Sequence, residues 1–296
     1  MSGWRLGIDL GGTKIEGAVL GPRGRVVWRE RVPTAQQEGY RAIVARIARL
    51  YGEMRAATGG RSHTLGVGTP GSLSPRTRLM RNSNTLCLNG KPLARDLQAA
   101  LGRRLALAND ANCFALAEAA LGAGRGYGLV FGVILGTGCG GGIVFQGRVW
   151  EGRHGVAGEW GHTSIDPRGP RCYCGQRGCV ETLISGGGLE RLWRAGTGRS
   201  ARLPEIVRAS RSGPGQARRF MDAFYARFGR ALANLVDMLD PDAIVLGGGL
   251  SNIRELYTRG AAETRRRVFS DRSDTPILRN RLGDSAGVLG AALLGI

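Results

Sequence analysis

Three short stretches of the chain carry residue types that could do chemistry. The first, Asp9-Leu10-Gly11-Gly12-Thr13-Lys14, is a carboxylate followed by a turn whose side chains are small enough for backbone N–H groups to approach an anion. Its spacing is not that of the G-x-x-x-x-G-K-[ST] loop, and a strand pattern follows Lys14, so no helix dipole assists. Gly136-Thr137-Gly138-Cys139-Gly140 repeats the arrangement, and Gly247-Gly248-Gly249 is a third glycine-rich strand end. A nucleoside triphosphate fits this set, held between two facing turns with its adenosine against the third. That reading assigns Gly11, Gly12, Thr13, Lys14, Gly136, Thr137, Gly138, Gly247, Gly248 and Gly249 to the nucleotide. Asp9 would hold a water of a Mg²⁺ ion, which keeps several waters and one or two carboxylates near phosphates. The plain alternative is an aspartate capping its own turn.

The second stretch is Asn109-Asp110, between an apolar strand and a helix. A carboxylate there can act as a general base on a hydroxyl that attacks phosphorus, or either residue can simply cap the helix. The third is Cys172-x-Cys174 with Cys179, three thiolates on a glycine-punctuated knuckle that His162 can complete to a tetrahedral set. Four protein ligands leave no open position, so zinc there is structural; free or disulfide-paired cysteines are the alternative. Cys113 and Cys139 read as small buried residues, His63 and His154 as loop or surface residues.

The elements that must position these groups follow from periodicity. Leu6–Leu10, Lys14–Leu20 and Val26–Arg31 read as a β-meander, and Ile43, Ile47, Leu50 and Met54 lie on one stripe of a helix over residues 40–57. Thr64–Gly68 and Leu105–Ala108 read as strands, and Ala111–Leu121 as a helix. Phe131–Leu135, a glycine turn at 136–138 extended by Gly140–Gly142, and Ile143–Phe145 repeat the opening strand–turn–strand order. Phe220, Phe224, Phe228, Leu232, Leu235 and Leu239 form a long apolar helix face. Ala243–Leu246 is a strand and Gly287–Leu294 a closing helix. At 296 residues the chain reaches the size at which one core usually splits, so two α/β lobes with a cleft are expected. The boundaries are 1–118, joined by the C-terminal helix at about 286–296, and 119–285 with the cysteine knuckle.

Composition excludes several classes. With 42% hydrophobic residues and no long low-complexity run, the chain is globular, and 50 glycines without a three-residue period exclude collagen. The net charge of +19 would point to nucleic acid, but the basic residues are scattered, only Lys14 and Lys91 are lysines, and aromatic interleaving is missing. No specific nucleic-acid partner is expected. The uncharged span 126–147 is long enough for a bilayer yet has the form of a glycine-turn hairpin. The start of the chain has no signal-like apolar stretch, so a cytoplasmic, membrane-free location is expected.

Taken in order, Gly7-Ile8-Asp9-Leu10-Gly11-Gly12-Thr13-Lys14, Asn109-Asp110-Ala111-Asn112-Cys113, Gly158-Glu159-Trp160-Gly161-His162, Cys172 to Glu181 and Leu246-Gly247-Gly248-Gly249 resemble the ROK family of sugar kinases and repressors, within the actin-like ATPases. The resemblance covers nearly the whole chain. It implies a two-lobed α/β actin-like (ribonuclease H-like) fold with duplicated β-meander domains, and ATP- and Mg²⁺-dependent phosphorylation of a hexose at its 6-hydroxyl. Asp110 is then the base, Gly71, Asn84, Asn109, Asp110, Glu159, His162 and Glu181 contact the sugar, and His162, Cys172, Cys174 and Cys179 hold structural zinc. His162 would use one ring nitrogen for zinc and the other for the sugar. Pro70-Gly71-Ser72, Leu88 to Pro92 and Leu239 to Asp242 most resemble bacterial fructokinases, so fructose is the expected hexose, with glucose or N-acetylglucosamine as alternatives. The loop between His162 and Cys172 is shorter than in fructokinases. Family members are often dimers, so a homodimer is expected. A sugar-responsive repressor is the competing class; such proteins carry a DNA-binding segment ahead of the kinase-like body, whereas Asp9 lies almost at the start here.

Overall fold

The computed structural model describes residues 3–295. In chain order its strands and α-helices are β1 (Trp4–Leu10), β2 (Lys14–Leu20), β3 (Val26–Pro33), α1 (Tyr40–Ala57), β4 (His63–Thr69), β5 (Ser72–Leu73), β6 (Met80–Arg81), α2 (Leu93–Leu101), β7 (Ala106–Asn109) and α3 (Asp110–Leu121). There follow β8 (Leu129–Leu135), β9 (Cys139–Phe145), β10 (Arg148–Val149), α4 (Val180–Ile184), α5 (Gly186–Thr197), α6 (Leu203–Arg211), α7 (Gln216–Leu239), β11 (Ala243–Gly247), α8 (Arg259–Arg265), β12 (Ile277–Arg279) and α9 (Ala286–Leu294).

Two five-stranded sheets share one plan. The first runs β3-β2-β1-β4-β7, an antiparallel meander of β1 to β3 with β4 and β7 added in parallel. The second runs β10-β9-β8-β11-β12, with β8 and β9 antiparallel and β11 and β12 parallel to β8. The strand–turn–strand echo in the sequence is therefore a repeat of this actin-like α/β sheet. The span 126–147 is the β8–β9 hairpin, and among the described residues no helix is long and apolar enough to cross a membrane.

Contact clustering divides the chain into two compact units. The first takes Met1–Glu118, Val149–Ala157 and Leu282–Ile296; the second takes Ala119–Arg148 and Gly158–Arg281. Residues 149–157 and 282–285 thus go with the first unit, where the sequence reading left them with the second. The reason for 149–157 is visible in two contacts: Arg81 donates to the carbonyl of His154 at 2.9 Å, and Glu151 and Gly155 wall a cavity with Asn109.

In the first unit α1 buries Ile43, Ile47, Leu50 and Met54 against one face of the sheet. The other face receives α9, which is apolar all round because it is enclosed all round. Gly7 and Gly66 sit directly opposite each other in the β1–β4 register. A Cβ on Gly7 would collide with the Val288 carbonyl, and one on Gly66 with the Ala291 carbonyl, so this glycine pair lets α9 lie on the sheet backbone.

The second unit is built around α7, whose Met221, Phe224, Phe228 and Leu232 are fully enclosed. One expectation is corrected here. Gly140–Gly142 belong to β9 and not to the turn. They are small because the segment from Gly158 to Trp160 packs on them: a Cβ on Gly141 would lie 2.7 Å from the Gly158 carbonyl and from the Trp160 ring, and Trp160 donates its indole N–H to the Gly140 carbonyl at 3.1 Å. Gly247 likewise closes β11 and is not a loop residue.

Candidate active site

In the first unit the functional candidates stand at the carboxyl ends of parallel strands, the edge where open α/β sheets place ligands. Asp9 is paired in register with Gly68, and Asn109 with Thr69. A Cβ on Gly68 would lie 3.2 Å from Asp9 Oδ1 and 3.1 Å from Cys113 Sγ, so that glycine makes room for the carboxylate. The pKa of Asp9 is raised to about 7, first by burial, then by the charges of Asp110 and Glu16, with Lys14 opposing. No hydrogen bond from its own turn reaches the Asp9 carboxylate among the described residues; the cap alternative does not hold for it. The turn is closed instead by Gly11 N–H donating to the Lys14 carbonyl at 2.9 Å. It is braced from outside by buried Thr34, whose hydroxyl donates to the Gly11 carbonyl at 2.7 Å and whose N–H donates to that of Thr13 at 2.9 Å.

Asn109 does cap α3: its Oδ1 accepts the Asn112 N–H at 2.8 Å, while Asp110 Oδ1 accepts the Ala111 N–H at 2.8 Å. Asp110 is nevertheless exposed at the first position of the helix, so capping and a second role are compatible. Asn109 also edges a cavity of about 320 Å³ with Ser72, Leu107 and Asn112.

Three asparagines compete for one role in the segment after Gly71, and the geometry sorts them. Asn89 is a loop clamp, accepting the Ser83 N–H and donating to the Ser83 carbonyl, both at 2.9 Å. Asn82 supplies a left-handed turn at φ 56°. Asn84 is exposed, and its Oδ1 lies 4.0 Å from the point where a Cβ on Gly12 would be. It therefore borders the Asp9–Lys14 turn. Gly71 is pressed onto the same loop: a Cβ there would be 2.9 Å from the Ser83 nitrogen.

In the second unit Gly136, Thr137 and Gly249 share the lining of a cavity of about 850 Å³, walled by Leu203 and Val207 and edged by Arg208. Gly247 and Gly248 stand behind it: Gly248, at φ 77°, packs on the Leu135 carbonyl. Sequence reasoning missed Gly186 and Gly187, which line the cavity and whose N–H groups donate to the Gly136 and Thr137 carbonyls at 2.8 and 3.2 Å. The signal was present in Ser185-Gly186-Gly187-Gly188, where Ser185 caps α5 by accepting the Gly188 N–H at 3.0 Å. Gly138 faces elsewhere. The Glu181 carboxylate accepts the Cys139 N–H at 3.0 Å and lies 2.6 Å from where a Cβ on Gly138 would be, so Glu181 reads the backbone of the glycine turn.

One donor atom from each of His162, Cys172, Cys174 and Cys179 lies within 4.8 Å of every other. The Cys174–Cys179 sulfurs are 3.6 Å apart, and Cys172 Sγ is 3.6 Å from His162 Nδ1. Two ligands each about 2.3 Å from a tetrahedral ion lie about 3.8 Å apart, so the spacing and the thiolate–imidazole chemistry suit zinc. The other His162 nitrogen, Nε2, is hydrogen-bonded to the Tyr173 hydroxyl at 2.9 Å, where the expectation was a sugar. Tyr173 is 79% exposed and reaches His162 from the knuckle itself, a partner that no sequence spacing reveals. Glu159 sits one residue before the single 3₁₀ turn Trp160–His162, and its carboxylate has no partner among the described residues.

The comparisons with known proteins agree with this geometry. The model of the ROK family matches residues 5–296. N-acetyl-D-glucosamine kinase of Pectobacterium atrosepticum is 39% identical over 97% of both chains. The ROK hexokinase of Thermus thermophilus superimposes with a TM-score of 0.90 at 37% identity, over 99% of this chain and 97% of that one. A ROK glucokinase from Streptomyces griseus, solved with glucose and AMPPNP, gives 0.77 at 30% identity over 99% of both chains. The chain belongs to the ROK family, as a sugar kinase.

Because the fold holds the Asp9 carboxyl near 7 against 3.8 unperturbed, ionising it costs stability progressively as pH rises from about 4 to 7. In metal-free buffer, Asp9→Asn is expected to melt like the wild type at pH 4 and several degrees higher at pH 8, a gain of at most about 4 kcal/mol. Equal melting temperatures at both pH values would contradict the assigned burial.

Proposed function

We propose that this protein transfers the γ-phosphoryl group of ATP to the 6-hydroxyl of an N-acetylhexosamine, with N-acetyl-D-glucosamine as the preferred sugar. The observation that carries the reading is Asp110, exposed at a strand end beside Asn109, in a chain whose relatives named above include an N-acetyl-D-glucosamine kinase of matching length. Asp110 accepts the proton of the 6-hydroxyl as that oxygen bonds to the γ-phosphorus and the bond to the β–γ bridging oxygen breaks. Gly71, Asn84, Asn109, Glu159, His162 and Glu181 are assigned to the remaining sugar contacts, Tyr173 yielding the second nitrogen of His162. Amide and carboxylate partners discriminate sugars by hydroxyl pattern more sharply than apolar contacts do.

The cavity edged by Gly136, Thr137, Gly187 and Gly249 suits the nucleotide: glycines admit a close approach, Leu203 and Val207 give an apolar wall, and Arg208 supplies positive charge. The Gly11–Gly12 turn and Lys14 are assigned to its phosphates. Asp9 is a buried oxygen donor under the repulsion of Asp110, which a hard cation held by Asp9 would relieve, and this fits Mg²⁺. When bound, Mg²⁺ neutralises charge developing on the phosphates. The Cys172, Cys174, Cys179 and His162 set is assigned to structural zinc. A likeness to a hexokinase and a glucokinase favours glucose as a second substrate. Fructose, expected from the motifs, has no counterpart among the relatives named above.

A coupled ADP-release assay over N-acetylglucosamine, N-acetylgalactosamine, glucose, mannose and fructose is expected to give the highest kcat/KM for N-acetylglucosamine. Fructose is expected to be at least roughly tenfold poorer, the size of one lost hydrogen-bonded group. Asp110→Asn should lower kcat by roughly 10²–10⁴-fold with sugar affinity little changed. Near-normal turnover in that variant would refute the base. Metal analysis should find one zinc per chain, absent in Cys174→Ser, with a melting temperature several degrees lower; zinc-free wild-type protein of unchanged stability would refute the cluster.

A further inference from the structure

The Asp9 carboxylate has a wall that no motif assigns. A Cβ built on Gly287, in the first turn of α9, would collide with Asp9 Oδ2 and lie 3.0 Å from its Cγ. Gly287 is not among the positive-φ glycines, so its backbone is open to any residue. What the position requires is the missing side chain.

The helix is seated close on the sheet and tied at its start. Its backbone already lies on Gly7 and Gly66, where added Cβ atoms would meet the carbonyls of Val288 and Ala291. On another side Gly290 touches the carbonyl of Cys113, in the first turn of α3 that Asp110 begins. At the start of the helix, the Ser285 hydroxyl donates to Glu16 Oε1 at 3.2 Å and accepts from Arg29 at 2.7 Å, and Arg31 donates to Glu16 Oε2 at 2.8 Å. Glu16, the acceptor in this anchor, is 1% exposed. A methyl group at 287 must therefore be absorbed by Asp9. The N-terminal end of a nine-residue helix also favours a carboxylate beside it.

We propose that Gly287 is a positioning residue for phosphoryl transfer: the bare first turn of α9 fixes the Asp9 carboxylate where Mg²⁺-nucleotide is held. The proposal rests on the assignment of Asp9 made above. It adds a residue near the far end of the sequence that touches neither nucleotide nor sugar.

The test is a cycle of G287A, D9A and D9A/G287A, read by calorimetric Mg²⁺·ADP binding, by N-acetylglucosamine binding and by melting temperature. In G287A, Mg²⁺·ADP affinity is expected to fall roughly tenfold or more while sugar affinity stays within about twofold, the split of a group acting through Asp9 alone. A purely structural site predicts a lower melting temperature with unmoved Mg²⁺·ADP affinity in the folded protein. In D9A the methyl finds the space vacated, and D9A/G287A should match D9A in both readouts. Wild-type Mg²⁺·ADP affinity in G287A, or an equal further loss on adding G287A to D9A, overturns the proposal. If G287A does not fold, D9A/G287A must fold for the proposal to stand. Unchanged affinity in D9A would instead sink the assignment of Asp9, and this role of Gly287 with it.

Discussion

Asp9 and Asp110 stand at the carboxyl ends of parallel strands of one sheet, and the charge of Asp110 adds to the cost that burial already imposes on ionising Asp9. The burial of that carboxylate is the constraint around which its surroundings are arranged. Left to itself a polypeptide would neutralise or expose such a group. Here β1 holds it, Gly68 and Gly287 make room for it by carrying no side chain, and a helix start faces it. The arrangement is stable enough to persist because the rest of the unit is dense: α9 rests on sheet backbone through Gly7 and Gly66, and Glu16 ties its start to Arg31. A carboxylate that is costly to ionise in the empty site is one whose charge a bound cation would relieve.

The two sheets solve related problems with one plan. Each begins with a hairpin whose turn is made of small residues, and each adds two strands parallel to the first. They differ in what braces the turn. In the first unit Thr34 holds Gly11 and Thr13 from the end of the meander; in the second, the carboxylate of Glu181 and the glycine-rich start of α5 hold residues 136–139. The cysteine knuckle precedes Glu181 directly, with Cys179 two residues away, so a metal there would fix the segment carrying Glu181 as well as His162.

The main elements were readable because the period of 3.6 is strong where one helix face is buried, as in α1 and α7, and because short apolar runs bounded by glycine turns mark strands buried on both faces, as in β1 and β2. The candidate residues were readable where chemistry and spacing coincide, as at Asp9, Asn109-Asp110 and the cysteines. What escaped has a common physical cause. Glycine reports that space is short without saying what fills it: Gly140–Gly142 looked like a turn because the Trp160 ring that covers them lies elsewhere in the sequence, and Gly186 and Gly187 gave no signal of the carbonyls they meet at residues 136 and 137. Nor does spacing choose among Asn82, Asn84 and Asn89, which are separated by the left-handed turn at Asn82, the approach of Asn84 to Gly12 and the clamp between Asn89 and Ser83. The Tyr173 hydroxyl on His162 and the glycine wall behind Asp9 are likewise properties of packing.

A crystal structure of the protein with N-acetylglucosamine and a non-hydrolysable ATP analogue tests the central claim most directly, by measuring the separation of the Asp110 carboxylate from the sugar 6-oxygen. The account predicts a hydrogen bond of about 2.6–3.2 Å, with the γ-phosphorus analogue on the opposite side of that oxygen. A sugar bound with its 6-oxygen beyond reach of Asp110, or with another hydroxyl in that place, would contradict it.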